Sequence, residues 1–196
     1  MDIGVASGQL AILVRKLFGY EVLGIDFHDG WKERLSSERI SLGVCDLTKD
    51  PIPFEDETFD IVLFCETIEH LSVRLHKVLQ EARRILKQEG FMILTTPNVA
   101  RLDNRLKLLL GKSPFGDARV DSHIHEYTAN EIESGLLANG FQIERLYISN
   151  CLERSFSYHK PLHFTYRLLV SSFPSFRGCI IALARKPGTN ILEETI

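Results

Sequence analysis

The sequence lacks several features that would point directly to a function. Its 196 residues carry a net charge of −3, so no strong field draws the chain to nucleic acid or to an acidic membrane. The four cysteines include no C-x-x-C pair, which favours reduced, buried thiols over a disulfide framework. No stretch approaches the roughly 18 apolar residues that a membrane span requires.

The first residues lack the basic and apolar segments of a signal peptide. Internal repeats, low-complexity tracts and domain linkers are also missing. With 44% hydrophobic and 25% charged residues, the composition is typical of a globular protein that buries its own core. We therefore predict one cytoplasmic domain over residues 1–196, with no nucleic-acid partner and no stable insertion in a membrane.

Short, nearly continuous apolar runs recur through the first two-thirds of the chain and predict strands. Continuous runs, rather than alternating ones, are typical of parallel strands that are covered on both faces. The runs are 22–25, 61–64 and 92–94, with a weaker candidate at 40–44.

Segments with helical spacing and recognisable ends lie between the predicted strands. They are 10–17, between Ser7 and Gly19; 71–86, with a stop at Gly90; and the segment from the capping box of Thr128 and Glu131 to Gly140. The alternation of strands and helices predicts a doubly wound α/β fold with a mostly parallel sheet and helices on both faces.

The last third of the chain is organised differently. Strands are predicted at 141–148 and 179–184, with a helix around 164–170 between them. The long connection before the final strand predicts an antiparallel strand at the sheet edge. Residues 101–121 are predicted as a helix followed by an exposed loop, because their second half contains glycine and proline.

The segment D-I-G-V-A-S-G at residues 2–8 lies between a short strand and the first helix. Its small residues let the backbone approach a ligand, and the helix N-terminus offers unpaired N–H groups. Asp26 ends the next strand, where a carboxylate can accept hydrogen bonds from ribose hydroxyls. The pattern favours a nucleotide-containing cofactor; a tight turn whose small residues serve packing is the simpler alternative.

Three further segments follow in order: C-D-L at 45–47, P-F-E-D-E-T-F-D-I-V at 53–62 and C-E-T-I-E-H-L at 65–71. Together with the glycine loop they resemble the class I methyltransferases that use S-adenosylmethionine, in the type-11-like and type-23-like branch that includes ubiquinone-biosynthesis-like O-methyltransferases. The resemblance continues through residues 90–98, 127–128 and 140–141. It implies a seven-stranded, Rossmann-like sheet with one antiparallel edge strand.

The resemblance also implies S-adenosylmethionine as the cofactor and ten residues that contact it. They are Asp2 and the backbone of Gly4, Ala6 and Gly8 at the amino acid part; Cys65 and Glu66 beside the reactive methyl; Asp26 at the ribose; and Phe27, Asp46 and Leu47 at the adenine.

Two features depart from the family pattern. Ala6 stands where a second glycine is usual, and its methyl group leaves less room between the backbone and a ligand. The first strand begins only at Asp2, and the helix that normally precedes it is largely missing. We therefore predict that the chain is truncated at its N-terminus.

The sequence does not identify a catalytic residue. For a hydroxyl acceptor a general base helps, and His70, His123 and His125 are the candidates. No metal is predicted, because residues 66–70 lack a first histidine and the H-x-H motif at 123–125 has no partner ligand at readable spacing. The expected acceptor is a small molecule, a lipid precursor or a sugar, methylated at oxygen.

Two alternatives remain open at this point. A glycine loop with Asp26 also suits a nicotinamide-dependent oxidoreductase. No tyrosine is followed four residues later by lysine, which removes the short-chain dehydrogenases but not every oxidoreductase. A non-catalytic interaction module with a truncated methyltransferase fold is the second alternative, and the incomplete first strand favours it.

Overall fold

The computed structural model describes residues 1–115, 123–150 and 160–188. These residues form seven strands: β1 (Asp2–Ile3), β2 (Leu23–Asp26), β3 (Ser41–Val44), β4 (Phe59–Cys65), β5 (Leu86–Pro97), β6 (Gln142–Ser149) and β7 (Cys179–Arg185). They also form six α-helices: α1 (Gln9–Phe18), α2 (Lys32–Ser37), α3 (Leu75–Ile85), α4 (Leu102–Leu109), α5 (Ala129–Ala138) and α6 (Lys160–Ser172). Two 3-10 turns span Ile68–His70 and Pro174–Phe176. Cys151 and the predicted loop beyond residue 115 lie outside the described residues.

The strands form one sheet in the order β3-β2-β1-β4-β5-β7-β6. Strands β1 to β5 are parallel to one another, and β7 is antiparallel to both β5 and β6. The predicted doubly wound, mostly parallel sheet is confirmed. The antiparallel strand lies between β5 and β6, so that β6 is outermost. Although β1 has only two residues, Asp2 pairs with Gly24 on one side and with Leu63 on the other, which places β1 at the centre.

Helices cover both faces of this sheet. On one face, buried residues of α3 and α5, such as Leu79 and Ile132, share a core cluster with Val62 and Phe64 of β4. A second cluster joins α1 and α2 to the β2–β3 side through Val5, Ala11, Val22, Leu35 and Ile40. Successive residues of a strand point to opposite faces, so nearly continuous apolar runs are what this arrangement requires.

The helix predicted over 71–86 is shorter than its apolar stripe. It begins at Leu75, after the 3-10 turn Ile68–His70, and ends at Ile85, where the chain turns directly into β5. The predicted stop at Gly90 is wrong, because Gly90 lies inside β5. Its register against β4 shifts there, and a Cβ at Gly90 would lie only 2.8 Å from the Lys87 carbonyl oxygen.

The other predicted helix ends agree more closely with the structure. Gly19 closes α1 in a left-handed conformation, and the capping box of Thr128 and Glu131 opens α5. Gly8 with φ 75°, rather than Ser7, occupies the N-cap position of α1, without a capping side chain. Within the described residues, no helix combines the length and apolar character that a membrane crossing needs.

Candidate cofactor site

The candidate site lies at the carboxyl edge of the parallel strands, where the loops after β1 to β4 meet. Hydrogen bonds join the loop after β3 to the end of β2, and the loop after β4 to the end of β1. The Cys45 amide donates to the Asp26 carbonyl at 2.8 Å, and the Thr67 hydroxyl donates to the Ile3 carbonyl at 3.2 Å. Ligands of open α/β sheets bind at this edge. The fold therefore brings the predicted cofactor residues from four separate segments to one place.

The loop after β1 is wound tightly. Gly4 has φ 74°, and a Cβ at this position would overlap the hydroxyl and lie 2.5 Å from the methyl group of Thr67. Residue 4 must therefore be glycine for two reasons, the left-handed backbone and the close approach of Thr67. Sequence reasoning missed Thr67, because a threonine that contacts a segment 64 residues earlier in the chain leaves no local pattern.

Ala6 adopts φ 44°, which is the left-handed region that favours glycine. We expect Ala6→Gly to raise the free energy of unfolding by about 0.5–1 kcal/mol, because glycine relieves the strain at a smaller cost in unfolded-state entropy. Urea denaturation measures the change. Ala11→Gly, in the interior of α1, is the control and should destabilise by about 1 kcal/mol or more. Equal losses in the two variants would contradict strain at Ala6.

Asp2 is buried at the start of this loop, with 4% of its surface exposed. Burial raises the pKa of its carboxyl to about 7, the ammonium group of Met1 opposes the rise, and the nearby Asp26 carboxylate adds to it. A buried carboxyl that ionises near neutral pH is stabilised as the anion by a cation brought beside it. This position therefore suits a ligand with a positively charged group.

Asp26 holds the glycine loop in place. Its Oδ2 accepts a hydrogen bond from the Ala6 amide and its Oδ1 accepts one from the Phe27 amide, both at 2.8 Å. A carboxylate offers about four lone-pair sites, so both oxygens keep room for a ligand hydroxyl. Phe27 is 73% exposed, and its ring meets the His28 ring edge-on with the centroids 4.4 Å apart, beside this carboxylate.

Asp46 and Leu47 are placed differently from each other. The Asp46 Oδ1 accepts hydrogen bonds from the Thr48 hydroxyl at 2.6 Å and the Thr48 amide at 3.0 Å, and its Oδ2 pairs with Lys49 at 2.7 Å. The contact with Lys49, followed by those with Thr48, lowers the pKa of Asp46 to about 2. The Leu47 side chain belongs to the buried core cluster. The structure thus shows Asp46 holding the turn after β3, while contact of either residue with adenine stays a prediction.

Cys65 ends β4 at the middle of the edge, and Glu66 is the first residue after the strand. Burial raises the pKa of the Cys65 thiol to about 11, so it is a neutral side chain rather than a nucleophile. Glu66 has φ 50°, and its Oε1 accepts a hydrogen bond from the Thr95 hydroxyl at 2.7 Å. A left-handed non-glycine residue at such a point is a form of backbone strain that clusters at functional sites.

The candidate bases His70 and His123 come together in the structure. Their ring centroids are 4.8 Å apart, and the Ile124 amide donates to the Glu69 carbonyl at 2.8 Å. His125, the third candidate, instead meets the Tyr127 ring at 4.6 Å. Sequence reasoning named both His70 and His123 but did not predict their contact, since 53 residues separate them.

Comparison with known proteins shows that the chain is similar to methyltransferases. The methyltransferase domain family matches residues 1–94. The chain is 28% identical over 147 residues to the uncharacterized methyltransferase YcgJ of Bacillus subtilis (strain 168), a match that covers 71% of this chain and 55% of that protein. It is 26% identical over 148 residues to 27-O-demethylrifamycin SV methyltransferase of Amycolatopsis mediterranei (strain S699), covering 69% and 53% respectively. The chain spans about half the length of these curated relatives.

Solved structures extend the likeness over nearly the whole chain. A SAM dependent methyltransferase from Archaeoglobus fulgidus superposes with a TM-score of 0.67 at 18% identity, covering 94% of this chain and 84% of that one. At this level of identity, the superposition shows a shared fold.

Proposed function

We propose that the chain is a class I S-adenosylmethionine-dependent methyltransferase and that it methylates a hydroxyl oxygen of a small molecule, a lipid precursor or a sugar. The observation that carries the proposal is the junction of the glycine loop with Asp26 and Thr67 at the carboxyl edge. The name of the rifamycin relative supports oxygen as the acceptor atom.

The residues at this edge fit the cofactor. When bound, S-adenosylmethionine supplies an electrophilic methyl carbon on a sulfonium, whose carbon–sulfur bond breaks with its electron pair left on sulfur as the acceptor oxygen forms the new carbon–oxygen bond. Asp2 would hold the cationic end, because its buried carboxyl gains most from a positive partner. Asp26 would accept hydrogen bonds from the ribose hydroxyls, and its hydrogen bond from the Ala6 amide would keep the glycine loop in position.

Other residues of the edge would orient the two reactants. Cys65 and Glu66 would line the methionine end, with Thr95 fixing the Glu66 carboxylate. Phe27, Asp46 and Leu47 would enclose the adenine from the side of β2 and β3. Methyl transfer is an in-line displacement, so positioning and exclusion of water are the main tasks of these side chains. The acceptor hydroxyl would give up its proton beside His70 and His123, to one of these imidazoles or to water at the exposed His70.

The partner would be a small molecule rather than nucleic acid, which the net charge of −3 supports. The thiols of Cys45 and Cys65 are free, which supports the reducing cytosol as the compartment.

Parallel titrations by calorimetry with S-adenosylmethionine and NAD test the cofactor. We expect saturable binding of S-adenosylmethionine at one site per chain and no heat from NAD. Asp26→Asn should weaken binding by about ten-fold or more, because a neutral amide accepts fewer hydrogen bonds. Binding of NAD alone would replace the proposal by the oxidoreductase alternative.

An assay for S-adenosylhomocysteine with a panel of hydroxyl and amine acceptors then tests the reaction. We expect product with a hydroxyl acceptor. Cofactor binding without turnover on any acceptor would favour the non-catalytic module instead.

A further inference from the structure

Three potential metal ligands lie together just beyond the end of β4. Glu69 and His70 belong to the 3-10 turn after this strand, and His123 comes from the segment that precedes α5. One ligand atom from each lies within 4.8 Å of the others. The backbone fixes this arrangement, because the Ile124 and His125 amides both donate to the Glu69 carbonyl, at 2.8 and 3.2 Å.

A separate group orients the Glu69 carboxylate. The Thr96 hydroxyl donates to its Oε2 at 3.1 Å, and its Oε1 lies 4.0 Å from His70 Nε2. Glu69 is buried, whereas His70 is exposed. Thr96 of β5 therefore holds one oxygen of the Glu69 carboxylate, and the other oxygen lies near His70.

His123 is oriented in a comparable way. Its Nδ1 lies 3.1 Å from Glu126 Oε1, and the other oxygen of this buried carboxylate accepts hydrogen bonds from Arg101 at 2.8 Å and from Asn104 at 3.3 Å. With Nδ1–H donated to a carboxylate, Nε2 carries the lone pair. Histidine ligands of metals typically donate their other ring N–H to a carboxylate or a carbonyl in this manner.

We propose that Glu69, His70 and His123 bind a divalent first-row transition ion, through Glu69 Oε1 and the Nε2 atoms of both histidines. Two imidazoles and one carboxylate are a common donor set for such ions, and three protein ligands leave positions open for substrate or water. Bonds of about 2.0–2.2 Å bring donor atoms to about 3–4 Å apart. The side chains would need to close by about 1 Å, which the exposed His70 permits.

The location gives the ion a role in catalysis, a step that rests on the proposed function. Thr95 binds Glu66 and the next residue of β5, Thr96, binds Glu69, so the metal ligands adjoin the methionine end of the cofactor site. An acceptor hydroxyl on an open position of the ion would lose its proton more easily. This geometry favours acceptors with two adjacent oxygens, which can occupy two open positions.

Cobalt titration of the chelator-treated full chain tests the site in the absence of any cofactor. We expect one Co²⁺ per chain, visible absorption bands of a nitrogen and oxygen ligand set, and competition by Zn²⁺. His70→Asn and His123→Asn should each weaken binding by about 100-fold, and Glu126→Gln by about 10-fold or more. Circular dichroism checks that each variant folds.

His125→Asn is the matched control, because His125 lies two residues from His123 but meets Tyr127 instead. It should leave cobalt binding unchanged. No cobalt binding by the folded chain, or equal loss in the His125 and His123 variants, would overturn the site.

The metal site and the proposed function can fail separately. Cobalt spectra are recorded without S-adenosylmethionine, and calorimetry with the cofactor is done without metal. Cofactor binding with no cobalt site would sink this inference alone, and the reverse result would sink the proposed function alone. If both bind, methyl transfer should fall about 100-fold on metal removal and return on adding the ion; an unchanged rate would refute the catalytic role.

Discussion

Gly4→Ala will lower the free energy of unfolding by about 3 kcal/mol and weaken S-adenosylmethionine binding by about ten-fold or more. A left-handed backbone costs a non-glycine residue about 1–2 kcal/mol. The new methyl group also overlaps Thr67, and overpacking of this kind adds about 1–3 kcal/mol. The loop would move away from the end of β4, which separates the two halves of the candidate site. Urea denaturation and calorimetry measure the two effects.

Gly19→Ala separates backbone strain from steric overlap. Gly19 has φ 71°, close to that of Gly4, but a Cβ there meets nothing within 4 Å. Gly19→Ala should therefore lower the free energy of unfolding by about 1–2 kcal/mol only. Adding Thr67→Ala to Gly4→Ala should recover about 1 kcal/mol or more, since it removes the two overlapping atoms. If Gly4→Ala costs no more than Gly19→Ala, the close packing of the two loops does not matter for stability.

Asp2→Asn will make the cofactor-free chain more stable at pH 8 and will weaken its binding to S-adenosylmethionine. The pKa of Asp2 is about 7 in the folded chain and 3.8 in the reference state, so between these values the folded chain retains a proton that the unfolded chain has lost. Stability therefore falls as pH rises from about 4 to about 7 and stays low above. At 1.36 kcal/mol per pKa unit the penalty is at most about 4 kcal/mol. Asp2→Asn removes it.

The same carboxyl links cofactor binding to pH. A cation beside Asp2 lowers its pKa, so binding below about pH 7 should release a proton and weaken as pH falls. Calorimetry in two buffers of different ionisation enthalpy measures this proton release, which Asp2→Asn should abolish. An unchanged proton count in the variant would place the cationic end of the ligand elsewhere.

Asp46→Asn serves as the control for the pH profile. The pKa of Asp46 is lowered to about 2, so whatever stability it contributes is present above about pH 4 and is lost as pH falls towards 2. Its profile should therefore change only in acid, opposite to Asp2. Burial also raises the pKa of Glu69 to about 7, so we expect a slope near neutral pH to remain in Asp2→Asn.

The sequence by itself determined the fold class and most of the element positions. Runs such as 61–64 are apolar at successive positions because helices cover both faces of the parallel sheet. This pattern lies within a few consecutive residues, so the sequence shows it directly. The helix ends at Gly19 and at the capping box of Thr128 were also predicted correctly, because a helix end depends on residues that are neighbours in the sequence. The predicted helix stop at Gly90 was wrong, because this glycine serves a contact between distant segments. It lies where the register of β5 against β4 shifts.

Only the tertiary structure decided how the edge residues combine. The sequence predicted that Asp26 ends a strand. It did not predict the hydrogen bond from the Ala6 amide to the Asp26 carboxylate, because that contact depends on the loop after β1 lying beside the end of β2. The sequence argument against a metal was that the H-x-H motif had no ligand partner at readable spacing. In the folded chain, the Glu69 carbonyl binds the segment that carries His123 and brings that side chain beside His70. Contacts between distant segments arise from sheet order and loop hydrogen bonds, which leave no periodic trace along the chain.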